Sequence, residues 1–246
     1  MRSTALILML TLPLLAWGDD HEAPNPAVME LWACELNTGY TIGDIAAFAR
    51  NEVAPFADKG ELQQRSFLWE PTAIAPPYHE ADFRWVNYTP SWDAWDQARN
   101  HFSGKEADKL LEKFSKIADC ETAVYASVRG VAPIPQSSEK PLILGVCKLK
   151  SGKSMNDVMK YRTRDRVNAI NESLDTQTGQ ALILPGFGMA GDFDFLTMIA
   201  GTTPDMISLM DGVRTGSVGK AHQNHSEMEN PADCYWDLHK SHTIRN

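Results

Sequence analysis

Apolar positions in this chain fall into short runs separated by polar turns. Leu31 to Leu36 and Leu142 to Leu149 have the length and content of buried strands. A glycine follows each run, Gly39 and Gly152, where a residue without Cβ relieves a tight turn. Thr41 and Ser154 then stand as N-caps, with Asp44 and Asp157 three residues on, the spacing of a capping box. Ile42, Ile45, Ala49, Val53 and Phe56 recur at helical spacing. The pattern predicts strand, turn and helix twice over. Further strands are predicted at Ser66 to Trp69 and Phe83 to Tyr88, and at Ala181 to Leu184 and Phe193 to Ile199. A second helix is expected to start at Ser91 and again at Thr203, and last strands at Ala123 to Val128 and Tyr235 to Leu238.

The duplication shows in identities as well as in pattern. CELNTGYTIGDIAAF from Cys34 and CKLKSGKSMNDVMKY from Cys147 share Cys, Leu, Gly and Asp at matching places. Asp119-Cys120 recurs as Asp233-Cys234, and Asp82-Phe83 as Asp194-Phe195, at a nearly constant offset. Each copy reads βαββαβ, the ferredoxin-like unit. The expected organisation is a signal peptide over 1–18, one unit over 28–130, a Pro- and Ser-rich linker over 131–141 and a second unit over 142–246. First and last strands are antiparallel neighbours in such a unit. Of the three pairings that four cysteines allow, this favours Cys34–Cys120 and Cys147–Cys234.

Two such units on one chain, with the opening C-x-L-x-[TS]-G-x-[TS], resemble the dimeric α+β-barrel superfamily, in particular its NIPSNAP-like and antibiotic-biosynthesis-monooxygenase-like groups. The resemblance implies an α+β fold in which two tandem ferredoxin-like sheets fuse into one barrel with helices outside. It also implies an interior able to take a small apolar ligand or haem. No catalytic residue carries over by identity.

Arg2, the apolar run Ala5 to Trp17 and small residues at Ala16 and Gly18 read as a secretory signal, which places the mature chain in the periplasm or outside the cell. The net charge of −9 disfavours nucleic acid and anionic membrane surfaces as partners. No later run is long enough to span a bilayer. No cysteines stand at C-x-x-C spacing, so metal ligation by these thiols is not expected.

Features found in one copy only are the candidates for chemistry. Copy one holds Trp32, Trp69, Trp85, Trp92 and Trp95, able to line a pocket for a flat ligand or simply to fill core. Its loop Pro76 to Glu80 presents Tyr78 and His79 together, with His79 a candidate base or ligand or a solvated loop residue. Copy two carries Arg162 and Arg166 where copy one has Ala49 and Val53. A buried arginine needs a partner: Asp192 or Asp194, or a bound anion, unless the helix turns both to solvent. Gly216 to Pro231 reads as a polar loop or lid, and its His222-x-x-His225 has metal-ligand spacing only if helical. The expected ligand-binding set is therefore Tyr78, His79, Trp85, Arg162 and Arg166. The reading is a monomeric or loosely dimeric binder of a small apolar or aromatic molecule. A cofactor-free or haem-dependent oxygenase is the first rival, and a structural module with a filled barrel the second.

Overall fold

A computed structural model describes residues 26–74, 81–121, 123–189, 191–225 and 228–246. The expected signal segment lies outside these residues, as do Tyr78 and His79. The strands are β1 (Ala27–Leu36), β2 (Arg65–Ala73), β3 (Phe83–Thr89), β4 (Ala118–Cys120), β5 (Val124–Ala132), β6 (Glu139–Leu149), β7 (Gly179–Pro185), β8 (Phe195–Ala200) and β9 (Ala232–Arg245). The α-helices of the first half are α1 (Ile42–Phe48), α2 (Ala54–Lys59), α3 (Trp92–Phe102) and α4 (Asp108–Ile117). Those of the second half are α5 (Met155–Tyr161), α6 (Arg164–Leu174), α7 (Thr203–Thr215) and α8 (Ser217–His225).

Every strand but the short β4 belongs to one closed antiparallel barrel, in the order β2-β3-β1-β5-β7-β8-β6-β9 and back to β2. Within the first half the order is β5-β1-β3-β2, and within the second β9-β6-β8-β7. The seams β5–β7 and β9–β2 join the halves, so closure needs no second chain.

Strand alternation sends one set of side chains into the barrel and the other against the helices. Met29, Trp69, Val86, Tyr88, Leu142, Leu144, Ile183 and Met198 belong to the inner core. Leu68, Phe83 and Trp85 pack outward with Ile45, Phe48 and Phe114 beneath the helices of the first half. Leu182 and Phe195 do the same with Val158 in the second. Both faces are buried, which is why several strands read as nearly continuous apolar runs.

Both predicted openings form. Asp44 accepts from the Thr41 backbone N–H at 2.8 Å and Asp157 from that of Ser154 at 2.9 Å, and Gly39 and Gly152 take positive φ. The helices that follow then differ. In the first half a π-helical turn, Ala49–Val53, links α1 to α2 just before Pro55, whose ring removes a donor. In the second half the chain breaks at Arg162 and restarts at α6, with Thr163 capping Arg166 N–H at 3.3 Å.

Both cysteine pairs are bonded, Cys34–Cys120 and Cys147–Cys234. Each joins direct cross-strand partners, with Cys120 held by β4. The predicted last strand Tyr235 to Leu238 is far longer, because β9 pairs with β6 over its first part and β2 over its second. The expected loop after Gly216 is in part a helix. Ala221 and Val218 of α8 pack on Ile170, Met206 and Leu209, and this burial supports a segment with few apolar residues. Among the described residues no helix is long and apolar enough to cross a membrane.

Candidate functional site

An eight-stranded barrel is just wide enough to be filled by side chains or to admit one small ligand at its mouth. Here the lumen is largely filled, and a half-open groove of about 900 Å³ begins at one end. Phe67, Trp69, Tyr88, Leu142 and Met198 form its apolar floor. Residues 131–134, between and at the ends of β5 and β6, form a rim over which the groove continues to Leu182, Met159 and Arg162 on the outside of the sheet.

The charges along this groove run against the net charge of the chain. Arg65, Arg129, Lys140, Arg162 and Arg164 line it, with Asp165 as the carboxylate. Lys140 is the most constrained of the cations. It is 6% exposed, donates to Pro135 O at 3.0 Å and lies 5.8 Å from the Phe67 ring centroid. Burial, and then the neighbouring Arg65, lower its pKa. Arg65 itself stands 6.0 Å from the Tyr88 ring centroid. Tyr88 is buried, its hydroxyl 3.8 Å from Met198 Sδ, and burial raises its pKa. Two cations thus meet an aromatic floor.

Deeper in the lumen the register places His239 beside Leu142 and Pro71, and Asp237 beside Leu144. His239 is 1% exposed, and neither ring nitrogen has a hydrogen-bond partner. Burial, then the Arg84 guanidinium, push its pKa down to about 4. Along β9 these inward positions are polar while their neighbours Leu238 and Trp236 face the other way. The alternation Asp237, His239, Ser241 is the signal that marks them.

The expected site residues separate. Trp85 is 8% exposed in the outer core, its Nε1 donating to Asn87 Oδ1 at 3.0 Å, and it does not line the groove. Tyr78 and His79 lie outside the described residues. The flanking Ala73 and Phe83 are at the end of the β2–β3 pair away from Arg65 and Tyr88.

Arg162 and Arg166 come together with Tyr161 and His222. The break after α5 turns Arg162 toward the sheet, 6.0 Å from the Phe195 ring centroid and 3.8 Å from Cys234 Sγ. Arg166 is 3% exposed and lies 3.9 Å over the Tyr161 ring, on which His222 also stacks at 5.7 Å. Neither predicted acid reaches them. Asp192 pairs with Lys148, and Asp194 accepts from the Leu149 backbone N–H at 2.7 Å, because the start of β8 lies against the end of β6. Burial lowers Arg162 to about 10, with Arg166 adding to the effect, and it lowers His222 to about 4, helped by both arginines and His225. Helical spacing does hold for His222 and His225, yet no third metal-ligating side chain joins them among the described residues.

The fold and groove define an α+β protein built on a closed eight-stranded antiparallel barrel with a cation-rimmed apolar mouth. No family model and no curated protein matches the sequence. Among solved structures, a mutant chlorite dismutase from Candidatus Nitrospira defluvii is similar at 11% identity and TM-score 0.49, over 91% of this chain and 93% of that one. The chlorite dismutase of the same organism in complex with imidazole is similar at 10% identity and TM-score 0.49, over 90% and 92%. A protein from Fusobacterium nucleatum subsp. nucleatum inferred to be a monooxygenase matches at 10% identity and TM-score 0.49, over 89% and 93%. Likeness at this level leaves the chemistry to be read from the groove itself.

Proposed function

We propose that this chain is an extracytoplasmic binding protein for a small amphipathic anion, with an apolar or aromatic body on Phe67, Trp69 and Tyr88 and an acidic head at Lys140 and Arg65. One observation carries the reading: a buried lysine, without a carboxylate partner among the described residues, set against an aromatic floor. A cation held this way has lost much of its hydration, so an incoming carboxylate regains more there than at an exposed lysine. The two disulfides support an oxidising compartment, and with the N-terminal pattern they support export. The corresponding strand orders of the two halves support their origin as tandem ferredoxin-like units.

The rival is an oxygenase. For a haem-dependent one, the groove's described lining has no histidine or cysteine, and its one phenol, Tyr88, is kept protonated by burial. That donor set does not fit haem, and no step is assigned to it.

Tryptophan quenching tests the binding reading. Octanoate is expected to bind the parent at least about tenfold more tightly than octanol, the worth of one charge-assisted contact. Lys140→Met should erase that preference, and Phe67→Ala should weaken both ligands. Equal binding of acid and alcohol by the parent, or no binding of either, would overturn the proposal.

A further inference from the structure

The paired arginines of the second half raise a separate question. Three buried polar atoms there lack a hydrogen-bond partner: Arg162 Nε, Arg166 Nη1 and His222 Nδ1. They come from three places in the chain, namely the break after α5, the first turn of α6, and α8. Tyr161 gathers two of them, with Arg166 over its ring and His222 stacked on it. Neither Arg162 nor Arg166 makes an ion pair with any described carboxylate. At the matching sequence positions of the first half stand Ala49 and Val53, in a continuous helical segment packed in an ordinary apolar core, so an apolar pair can serve beside this barrel.

Two like charges taken out of water without a counterion are costly, by several kcal/mol per ion even after relaxation. A buried apolar pair would be cheaper, as Ala49 and Val53 illustrate. The N-terminus of α6, capped by Thr163, adds the positive pole of its helix dipole.

We infer that Arg162, Arg166 and His222 form a buried oxyanion site between α5, α6 and α8, taking a phosphate or carboxylate group. Arg162 and Arg166 each have donors to spare. His222 offers Nδ1–H to the same group. Arg162 also borders the groove, so the oxyanion has two sources: a free inorganic anion, or the head of a ligand lying in the groove.

Thermal unfolding of the mature chain in Tris buffer, with ionic strength balanced by chloride, tests the site with inorganic phosphate and octanoate as probes. The parent is expected to gain stability with phosphate concentration in the manner of specific ligand linkage. Arg166→Met should lose about tenfold or more in apparent affinity. His222→Phe keeps the stack on Tyr161 and removes only the donor, so it reports on the site even if Arg166→Met does not fold. Its affinity should fall as well, and broadening of the phosphate 31P resonance should weaken in parallel. A phosphate response that survives Phe67→Ala identifies a free oxyanion. A response to octanoate alone, lost in both His222→Phe and Phe67→Ala, places the carboxylate of a groove ligand here instead of at Lys140. Identical responses of the parent and His222→Phe to both probes would overturn the site. That result would leave the groove reading untouched, since the groove is judged on Lys140 and on acid against alcohol.

Discussion

His239 shows how much one side chain can record about its surroundings. A histidine in water titrates near 6.5, but inside this lumen burial penalises the charged form and neither ring nitrogen has a hydrogen-bond partner. Its folded pKa is lowered, so between about 6.5 and about 4 the unfolded chain takes up a proton that the native chain refuses. Stability is therefore complete above the unfolded value and is lost as pH falls toward the folded one. His222 acts in the same window and with the same sign. The capping carboxylates Asp44, Asp157 and Asp205 lose their contribution only at lower pH. Denaturant midpoints should thus fall between pH 7 and pH 5, by at most about 1.4 kcal/mol per pH unit for each histidine. His239→Leu should flatten that slope; an unchanged slope would show that His239 is solvated. The cysteines act at the same scale. The Cys147–Cys234 bond closes a sequence separation of 87 residues. Replacing both by alanine should cost on the order of 4 kcal/mol in the chain-entropy model, read from the denaturation midpoint without reductant.

Among the elements, the connection between the halves shapes the groove. The Pro- and Ser-rich stretch over 131–141 reads as a linker, and in the fold β5 runs to Ala132 and β6 starts at Glu139. What lies between is short and tightly seated. A Cβ on Gly179, at the start of β7, would come within 2.1 Å of Pro133 O and 2.4 Å of Ile134 Cα. Both are backbone atoms, so neither can swing aside. Gly179→Ala is expected to force the connection away from β7 and lower stability by roughly 1–3 kcal/mol. Because Pro133 and Ile134 line the groove, the same change should weaken octanoate binding. Quenching and denaturation on the one variant check both effects. Unaltered values would mean that the connection moves freely.

At the scale of the molecule the decisive feature is closure. β5 meets β7 and β9 meets β2, so each half supplies the edge partner that the other lacks. Around the β9 seam, His242 lies 2.8 Å from Glu70 and 3.1 Å from Glu139, tying three strands at one point. A fragment covering 26–132 would keep its four main strands but expose both outer edges and the inner apolar face. Such edges pair with whatever chain is nearest. Light scattering is expected to find that fragment dimeric or aggregated and a chain covering 26–246 monomeric. A stable monomeric fragment would show that closure contributes little.

Local chemistry along the chain carried much of this architecture. Thr41 with Asp44, and Ser154 with Asp157, announce helix starts because capping is settled within four residues. The similar surroundings of the four cysteines announce the bridges, on the expectation that first and last strands are neighbours in a βαββαβ unit. Trp85 and the groove were beyond such reading. A strand buried on both faces has two apolar sides, and nothing in its alternation says which side is the lumen. The aromatic density of the first half pointed to Trp85, while parity put Phe67, Trp69 and Tyr88 inside. The extent of β9 was hidden for a related reason, since Asp237, His239 and Ser241 occupy inward positions that a period-two pattern assigns to solvent. The groove itself gathers residues from Ala27 to Ser241, and only closure of the barrel brings them to one mouth. The orphaned atoms of Arg162 and His222 likewise exist only once α8 has folded over the break after α5.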